Sequence, residues 1–178
     1  MSRALFLDRD GVINIDKDYV HKIEDFVFAD GIFELCRSFA GAGFMIFVVT
    51  NQSGIARGYY SEHDFVELTA WMEDEFKRNG VRITKTYYCP YLSDAALPEY
   101  RKDSYDRKPN PGMILRAHDE FALNLAKSVM IGDKERDIQA GKAAGVGRNI
   151  IIGENSDTAD CTYPTVRHAF EDSIWEWD

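Results

Sequence analysis

Ala4-Leu5-Phe6-Leu7-Asp8-Arg9-Asp10-Gly11-Val12 is a short apolar run that stops on two acids, one residue apart, followed at once by glycine. An apolar run of this length predicts a strand buried on both faces, as in a parallel sheet. Side chains two apart on an extended chain point to the same side. Asp8 and Asp10 can therefore converge at the carboxyl end of that strand, where open α/β sheets bind ligands. The plain alternative is a strand that runs into a solvated acidic loop.

Outward from this stretch the chain alternates strands and helices. After Asp10, residues up to about 29 are loop-like, with two short β-like pieces at 12–16 and 25–28. Asp30 is placed to cap a helix carrying Ile32, Leu35, Cys36 and Phe39, which Gly41 and Gly43 end. A second buried strand, 44–49, runs into Thr50-Asn51-Gln52-Ser53-Gly54, a turn of small polar residues suited to a ligand. Ser61 and Asp64 predict a capping box for a helix with Phe65, Leu68, Met72 and Phe76 on its apolar face. A third strand covers 83–88, and residues 90–107 form a loop of a length that is usually functional. Pro111 opens the next helix, with Met113, Ile114, Ala117 and Phe121. A fourth strand, 128–131, ends on Gly132-Asp133, and a helix over about 135–144 is closed by Gly145. A fifth strand at 147–152, a short one near Val166 and a last helix with Phe170, Ile174 and Trp175 complete the chain. This alternation predicts a doubly wound, Rossmann-like parallel sheet with helices on both faces, in one domain over 1–178. A switch point in such a sheet places the first and fourth strand ends side by side.

Composition narrows the function. The 178 residues are 45% hydrophobic and 29% charged, enough for a real core and unlike a disordered chain. No apolar run reaches membrane-span length, and no leader pattern precedes the first strand, so a soluble cytoplasmic protein without a membrane partner is expected, as a monomer. Three sparse cysteines, Cys36, Cys89 and Cys161, argue against a disulfide framework. A net charge of −9 opposes binding to nucleic acid, which needs a basic face. A small anionic substrate stays possible, because a site can be locally positive.

Asp8, Asp10 and Asp133 at neighbouring strand ends suit a hard cation with oxygen ligands, such as Mg²⁺. One of the first two acids is then free to act as a nucleophile. Thr50 and Asn51 offer a hydroxyl and an amide at the next strand end. Lys108 offers an ammonium that can neutralise a phosphoryl group as its charge redistributes. Each part has a bland reading. Asp133, Glu135 and Asp137 can simply cap a helix, Thr50-Asn51 can be an ordinary turn, and Lys108 can be a surface lysine. Four such readings at four strand ends are together less probable than one shared site.

Asp8-Arg9-Asp10-Gly11-Val12, Thr50-Asn51, Lys108, and Gly132-Asp133 with Asp137 resemble the four motifs of the haloacid dehalogenase superfamily of phosphatases. The resemblance covers nearly the whole chain. It implies that Asp8 is the nucleophile and forms an aspartyl-phosphate, and that Asp10 is the general acid and base. It further implies Mg²⁺ on the side chains of Asp8 and Asp133 and the backbone carbonyl of Asp10, with Thr50 and Lys108 holding the phosphoryl oxygens. The runs 50–58, 88–90 and 107–113 are similar to the D-glycero-D-manno-heptose-1,7-bisphosphate 7-phosphatase subfamily, which also contains histidinol-phosphate phosphatases. That similarity implies a hydrolase of carbohydrate metabolism in heptose biosynthesis. It implies substrate contacts from Asp16, Lys17, Asp18 and Tyr19 and from Thr50, Asn51, Gln52 and Ser53. Arg107 would recognise the substrate, and Lys134 would bind near the metal. Only about forty residues separate Asp10 from Thr50, too few for a helical cap domain, so surface loops must choose the substrate.

Members of the subfamily usually carry a loop zinc on Cys-x-His and a later Cys-x-Cys. Here Cys89 remains, but the matching positions are Tyr91, Ser104 and Asp106, so no structural zinc is expected. The loop is expected instead to pack as a small apolar cluster of Tyr91, Leu92, Leu97, Tyr100 and Tyr105 that holds Arg107 and Lys108. Three competing functions stand beside a heptose bisphosphate phosphatase. Histidinol phosphate is the nearest, since Asp16 and Asp18 suit its amine. A nucleic-acid 3′-phosphatase is opposed by the negative charge. A non-catalytic sugar-phosphate binder has no need of both Asp8 and Asp10.

Overall fold

Every residue of β1 (Arg3–Leu7) after the first is buried. Alternation along it builds two cores: Leu5 and Leu7 enter one, Ala4 and Phe6 the other. Truncating a ring such as Phe6 in so dense an interior costs roughly 3–5 kcal/mol. The computed structural model describes residues 1–176. Five further strands, β2 (Phe44–Asn51), β3 (Ile83–Cys89), β4 (Val129–Gly132), β5 (Arg148–Ile152) and β6 (Cys161–Tyr163), join β1 in one sheet ordered β3-β2-β1-β4-β5-β6. Each neighbouring pair runs parallel. The order reverses direction between β1 and β4, as a doubly wound sheet requires. Leu7 lies opposite Val48 of β2 and Ile131 of β4, so the residues just past these ends share one edge.

Helices α1 (Ile32–Gly41), α3 (Glu62–Arg78) and α6 (Val166–Glu171) cover one face through Leu35, Phe39, Met72, Phe76 and Ala169. Helices α4 (Gly112–Phe121) and α5 (Glu135–Ala144) cover the other through Met113, Ile114, Ala117 and Ala140. A single turn, α2 (Ser53–Ala56), follows β2. Ser61 and Asp64 form the expected capping box of α3, and Gly145 closes α5 in a left-handed conformation. Among the described residues no helix is long and apolar enough to cross a membrane.

Several local expectations are corrected. Asp30 does not cap α1. The cap is Gly31 at φ 85°, and the Asp30 carboxylate takes a two-pronged ion pair from Arg167 at 3.0 and 2.8 Å instead. The pieces at 12–16 and 25–28 reduce to isolated bridges at Asn14 and Phe28, and Ile23–Asp25 is a 3-10 turn. Pro111 is the residue before α4 rather than its first. The last strand is Cys161–Tyr163; Val166 begins α6, and Ile174 and Trp175 lie past its end. In the long loop, Leu92 and Ala95 pack on Ala56 with Tyr100 at the edge. Tyr105 is 62% exposed and takes no part in that cluster. Backbone bonds do the rest: Leu92 donates to Tyr100 O at 3.1 Å, and Leu97 to Ala56 O at 3.1 Å.

Candidate active site

The shared edge of β1, β2 and β4 holds Asp8, Thr50 and Asp133. Asp8 follows β1 directly, and its N–H donates to Ile131 O at 3.0 Å, continuing the ladder one residue past the strand. Its Oδ1 accepts from the Arg9 N–H at 2.8 Å and lies 3.0 Å from Lys108 Nζ. Lys108 is buried with three oxygen neighbours: Asp8 Oδ1, Asp137 Oδ1 at 2.7 Å and Val49 O at 2.7 Å. Asn51 holds the Lys108 backbone from both sides, its Oδ1 accepting from Lys108 N and its Nδ2 donating to Lys108 O, each at 3.0 Å. Both polar ends of the Asn51 side chain are thereby engaged inside the protein.

Asp137 satisfies both of its sequence readings at once. Its Oδ2 accepts from Asp133 N at 3.2 Å and Lys134 N at 3.0 Å, capping α5, while Oδ1 pairs with Lys108. Asp8, Asp133 and Asp137 bring ligand oxygens within 4.8 Å of one another. Burial, opposed by Lys108 and aided by Asp137, Asp133 and Asp10, pushes the Asp8 carboxyl up to about 7. Burial and Asp137 raise Asp133 to about 6, against the pull of Lys134, Arg136 and Lys108. Burial would lower Lys108, but Asp137 and Asp8 outweigh it and hold the ammonium above its ordinary value. Buried Lys108, with Lys134 3.6 Å from Asp133 at the edge, is thus too little positive charge for three buried carboxylates. Asp133 Oδ1 is also buried without a hydrogen-bond partner. An oxygen-ligated divalent cation fits that deficit. Asp8 and Asp133 have oxygens to give it, whereas Asp137 is committed to Lys108 and two N–H groups. Gly11, at φ 86°, passes so close that any Cβ would strike the Asp133 carboxylate.

Asp10 turns elsewhere. Arg9 donates to both of its oxygens, Nε to Oδ2 at 3.2 Å and Nη2 to Oδ1 at 2.9 Å. Asn14 and Gln52 add bonds at 3.1 and 3.2 Å. Arg9 itself is 1% exposed, anchored to Val20 O at 2.6 Å and placed by the rings of Phe26 and Phe65. A polar cleft of about 240 Å³ opens over Asp10. Its walls include Asp16, Asp18, Tyr19, Gln52, Ser53 and Arg136. Asp18 and Tyr19 both adopt positive φ, and Asp16 accepts from the Asp18 N–H at 3.0 Å. Lys17 is exposed and outside this wall. Lys134 lines a separate, more apolar cavity of about 440 Å³ beyond Gly11 and pairs with Glu154 at 2.6 Å. Arg107 is half-buried, reaches Tyr91 O at 3.4 Å, and feels the charges of Arg136 and Arg57; burial and those two cations lower it. Asp106 pairs with Arg116 at 2.8 Å, and burial raises the Cys89 thiol.

Arg9 and Arg136 have no role in the sequence reading. The signal for Arg9 was its place between the two acids; that for Arg136 was a cation three residues after Asp133.

The chain is 54% identical over 151 residues to the D-glycero-alpha-D-manno-heptose-1,7-bisphosphate 7-phosphatase of Burkholderia mallei, covering 85% of this chain and 80% of that protein. The chain belongs to the heptose-1,7-bisphosphate 7-phosphatase family. It is 50% identical to the enzyme of the same name from Campylobacter jejuni over 89% of this chain and 87% of that one. A HAD-hydrolase-like family model matches residues 105–173. The family's fold is shared by the crystal structure of D,D-heptose 1,7-bisphosphate phosphatase from B. bronchiseptica complexed with magnesium and phosphate, at a TM-score of 0.84 and 23% identity over 98% of this chain and 99% of that one.

Proposed function

We propose that this member of the family is a Mg²⁺-dependent phosphoric monoester hydrolase, a single domain that removes the 7-phosphate of a D-glycero-D-manno-heptose 1,7-bisphosphate. The observation that carries the reading is the buried Asp8–Lys108–Asp137 triad beside Asp133. The relatives' names supply the substrate. An Asp8 oxygen attacks phosphorus, and the bond from phosphorus to the sugar oxygen breaks. Asp10 delivers a proton to that oxygen, leaving an aspartyl-phosphate. Asp10, now ionised, takes a proton from water as the water oxygen attacks phosphorus, which frees Asp8 and phosphate. Lys108 and the Thr50 hydroxyl neutralise and orient the phosphoryl oxygens. Mg²⁺, held by Asp8, Asp133 and the Asp10 carbonyl, would supply the charge that keeps Asp8 ionised and draws electron density from the phosphoryl group.

Asp16, Asp18, Tyr19, Gln52 and Ser53 make the cleft that receives the sugar, with Lys17 and Asn51 next to them in sequence, while Lys134 stands 3.6 Å from Asp133 on the metal side. Arg107, near Arg57 and Arg136, recognises the phosphate that stays on the product; guanidinium forks suit phosphate. The acidic pair Asp16 and Asp18 favours one second reading, histidinol phosphate, whose ammonium they would meet. The loop over 90–107 is held by its apolar and backbone contacts without zinc, in support of which Asp106 already has Arg116 as its partner. A phosphate-release screen across both heptose bisphosphate anomers, histidinol phosphate and a generic aryl phosphate tests the reading. Faster turnover of histidinol phosphate than of either heptose bisphosphate would replace it.

A further inference from the structure

We propose that Tyr60 and Gln52 form a positioning link that aims Asp10 and Thr50, an inference that rests on the phosphatase reading above. Gln52 is 2% exposed and Tyr60 7%. The Tyr60 hydroxyl donates to Gln52 Oε1 at 2.5 Å. The other end of the amide, Nε2, donates to Asp10 Oδ2 at 3.2 Å and to Thr50 Oγ1 at 2.8 Å. One amide thus spans the acid and the phosphoryl-binding hydroxyl.

The direction of the amide is set by Asp10 and suits Tyr60. Burial keeps the Tyr60 phenol protonated well above its ordinary value, so it has an O–H to give to the Oε1 turned toward it. A flipped amide would set Oε1 against the Asp10 carboxylate, acceptor against acceptor. The consequence falls on Thr50. Its oxygen already accepts from Gln52, and its own hydrogen has only a 3.4 Å contact with Asn51 O. The Thr50 O–H is therefore free to donate to a phosphoryl oxygen. A hydroxyl rotor has been given one job by a side chain two residues away.

Two further contacts tie the link down. The Tyr60 ring lies over Gly54, where any Cβ would strike it, so α2 and the ring fit only with glycine there. The ring also stacks on His21, with centroids 4.9 Å apart and planes 8° from parallel. His21 closes the segment that carries Asp16, Asp18 and Tyr19, and its ring Nδ1 donates to Tyr19 O at 2.8 Å. The loop over the cleft and the groups beneath it are thereby referenced to one tyrosine.

Tyr60→Phe keeps the ring, the stack and the packing and removes only the hydroxyl. We expect kcat to fall about three- to tenfold, the size of one lost hydrogen bond, with KM within about twofold. Gln52→Leu should cost more, and adding Tyr60→Phe to it should cost nothing further, because both act through one path. In ¹⁵N-labelled protein, the Gln52 side-chain amide resonances should shift and exchange faster in Tyr60→Phe. An unchanged kcat, a loss that appears in KM, additive losses in the double variant, or unmoved amide resonances would each overturn the link. If the wild-type protein cleaves no phosphate ester, the phosphatase reading fails instead, while the amide resonances still judge the link.

Discussion

The floor of the site and its rim are built on opposite terms. On the floor, Lys108, Asp8 and Asp137 are 2%, 4% and 0% exposed, and the Lys108 ammonium is held by Asp8, Asp137 and Val49 O. On the rim, Asp16, Lys17, Asp18, Arg57 and Arg136 are exposed. Tyr19 there is 40% exposed and rests edge-on against Tyr59 at 4.8 Å. Charges on the floor are strong because water is excluded, and they are costly for the same reason. Charges on the rim are screened and cheap, so they can change without endangering the fold. Fixed, buried charge marks the first region and exposed, adjustable charge the second.

The largest effects should come from breaking the floor. Asp8→Asn should reduce turnover to background, yet the metal-free protein should melt no lower than wild type, since one of three crowded carboxylates is gone; wild-type turnover in that variant would falsify the nucleophile assignment. Lys108→Met should be the reverse test. It leaves Asp8 and Asp137 facing each other with no cation, so stability in urea should drop by roughly 3–5 kcal/mol together with activity. A variant that is inactive but as stable as wild type would mean the ammonium is less buried in its pairs than the distances indicate. Asp10→Asn should slow turnover by a factor on the order of 10² or more, the usual size of a lost acid and base.

Smaller and more selective effects belong to the rim. Arg107→Ala and Arg136→Ala should each lower kcat/KM for a bisphosphate by about tenfold, one hydrogen-bonded charge contact, and leave a small aryl phosphate unaffected. Equal losses on both substrates would move these arginines to the floor side of the comparison. The smallest effect concerns Cys89→Ser. Elemental analysis should find no zinc in protein purified without chelators, and the variant should keep its activity. About one zinc per chain, lost with activity in Cys89→Ser, would show that the loop is metal-clamped.

The floor is legible in the sequence because its positions are few and local. A strand buried on both faces announces itself by composition, and the polar residue that follows it can only be at the edge. Asp8, Thr50 and Asp133 are each the first or second such residue, and the alternation of elements brings β1 beside β4. What pairs across that edge is harder to see. The bond from Asn51 to the Lys108 backbone spans 57 residues, and the one from Arg167 to Asp30 spans 137. No periodicity carries such information, and a cation on an exposed helix turn, like Arg136, looks the same whether it faces a cleft or open water. The long loop misleads for a related reason. Tyr105 has the composition of a core residue, but the chain there serves Arg107 and Lys108, and the ring is left outside while Ala56 and Ala95 fill the interior.

The sheet order has a consequence for the order of synthesis. Asp8 is made almost first, while Lys108, Asp133 and Asp137 come from the last two fifths of the chain, and β1 waits between β2 and β4 until they arrive. A nascent or prematurely ended chain that stops after β3 holds Asp8 but none of Lys108, Asp133 and Asp137. Such fragments carry the first acidic motif without the buried ion pairs that surround it once the sheet is whole.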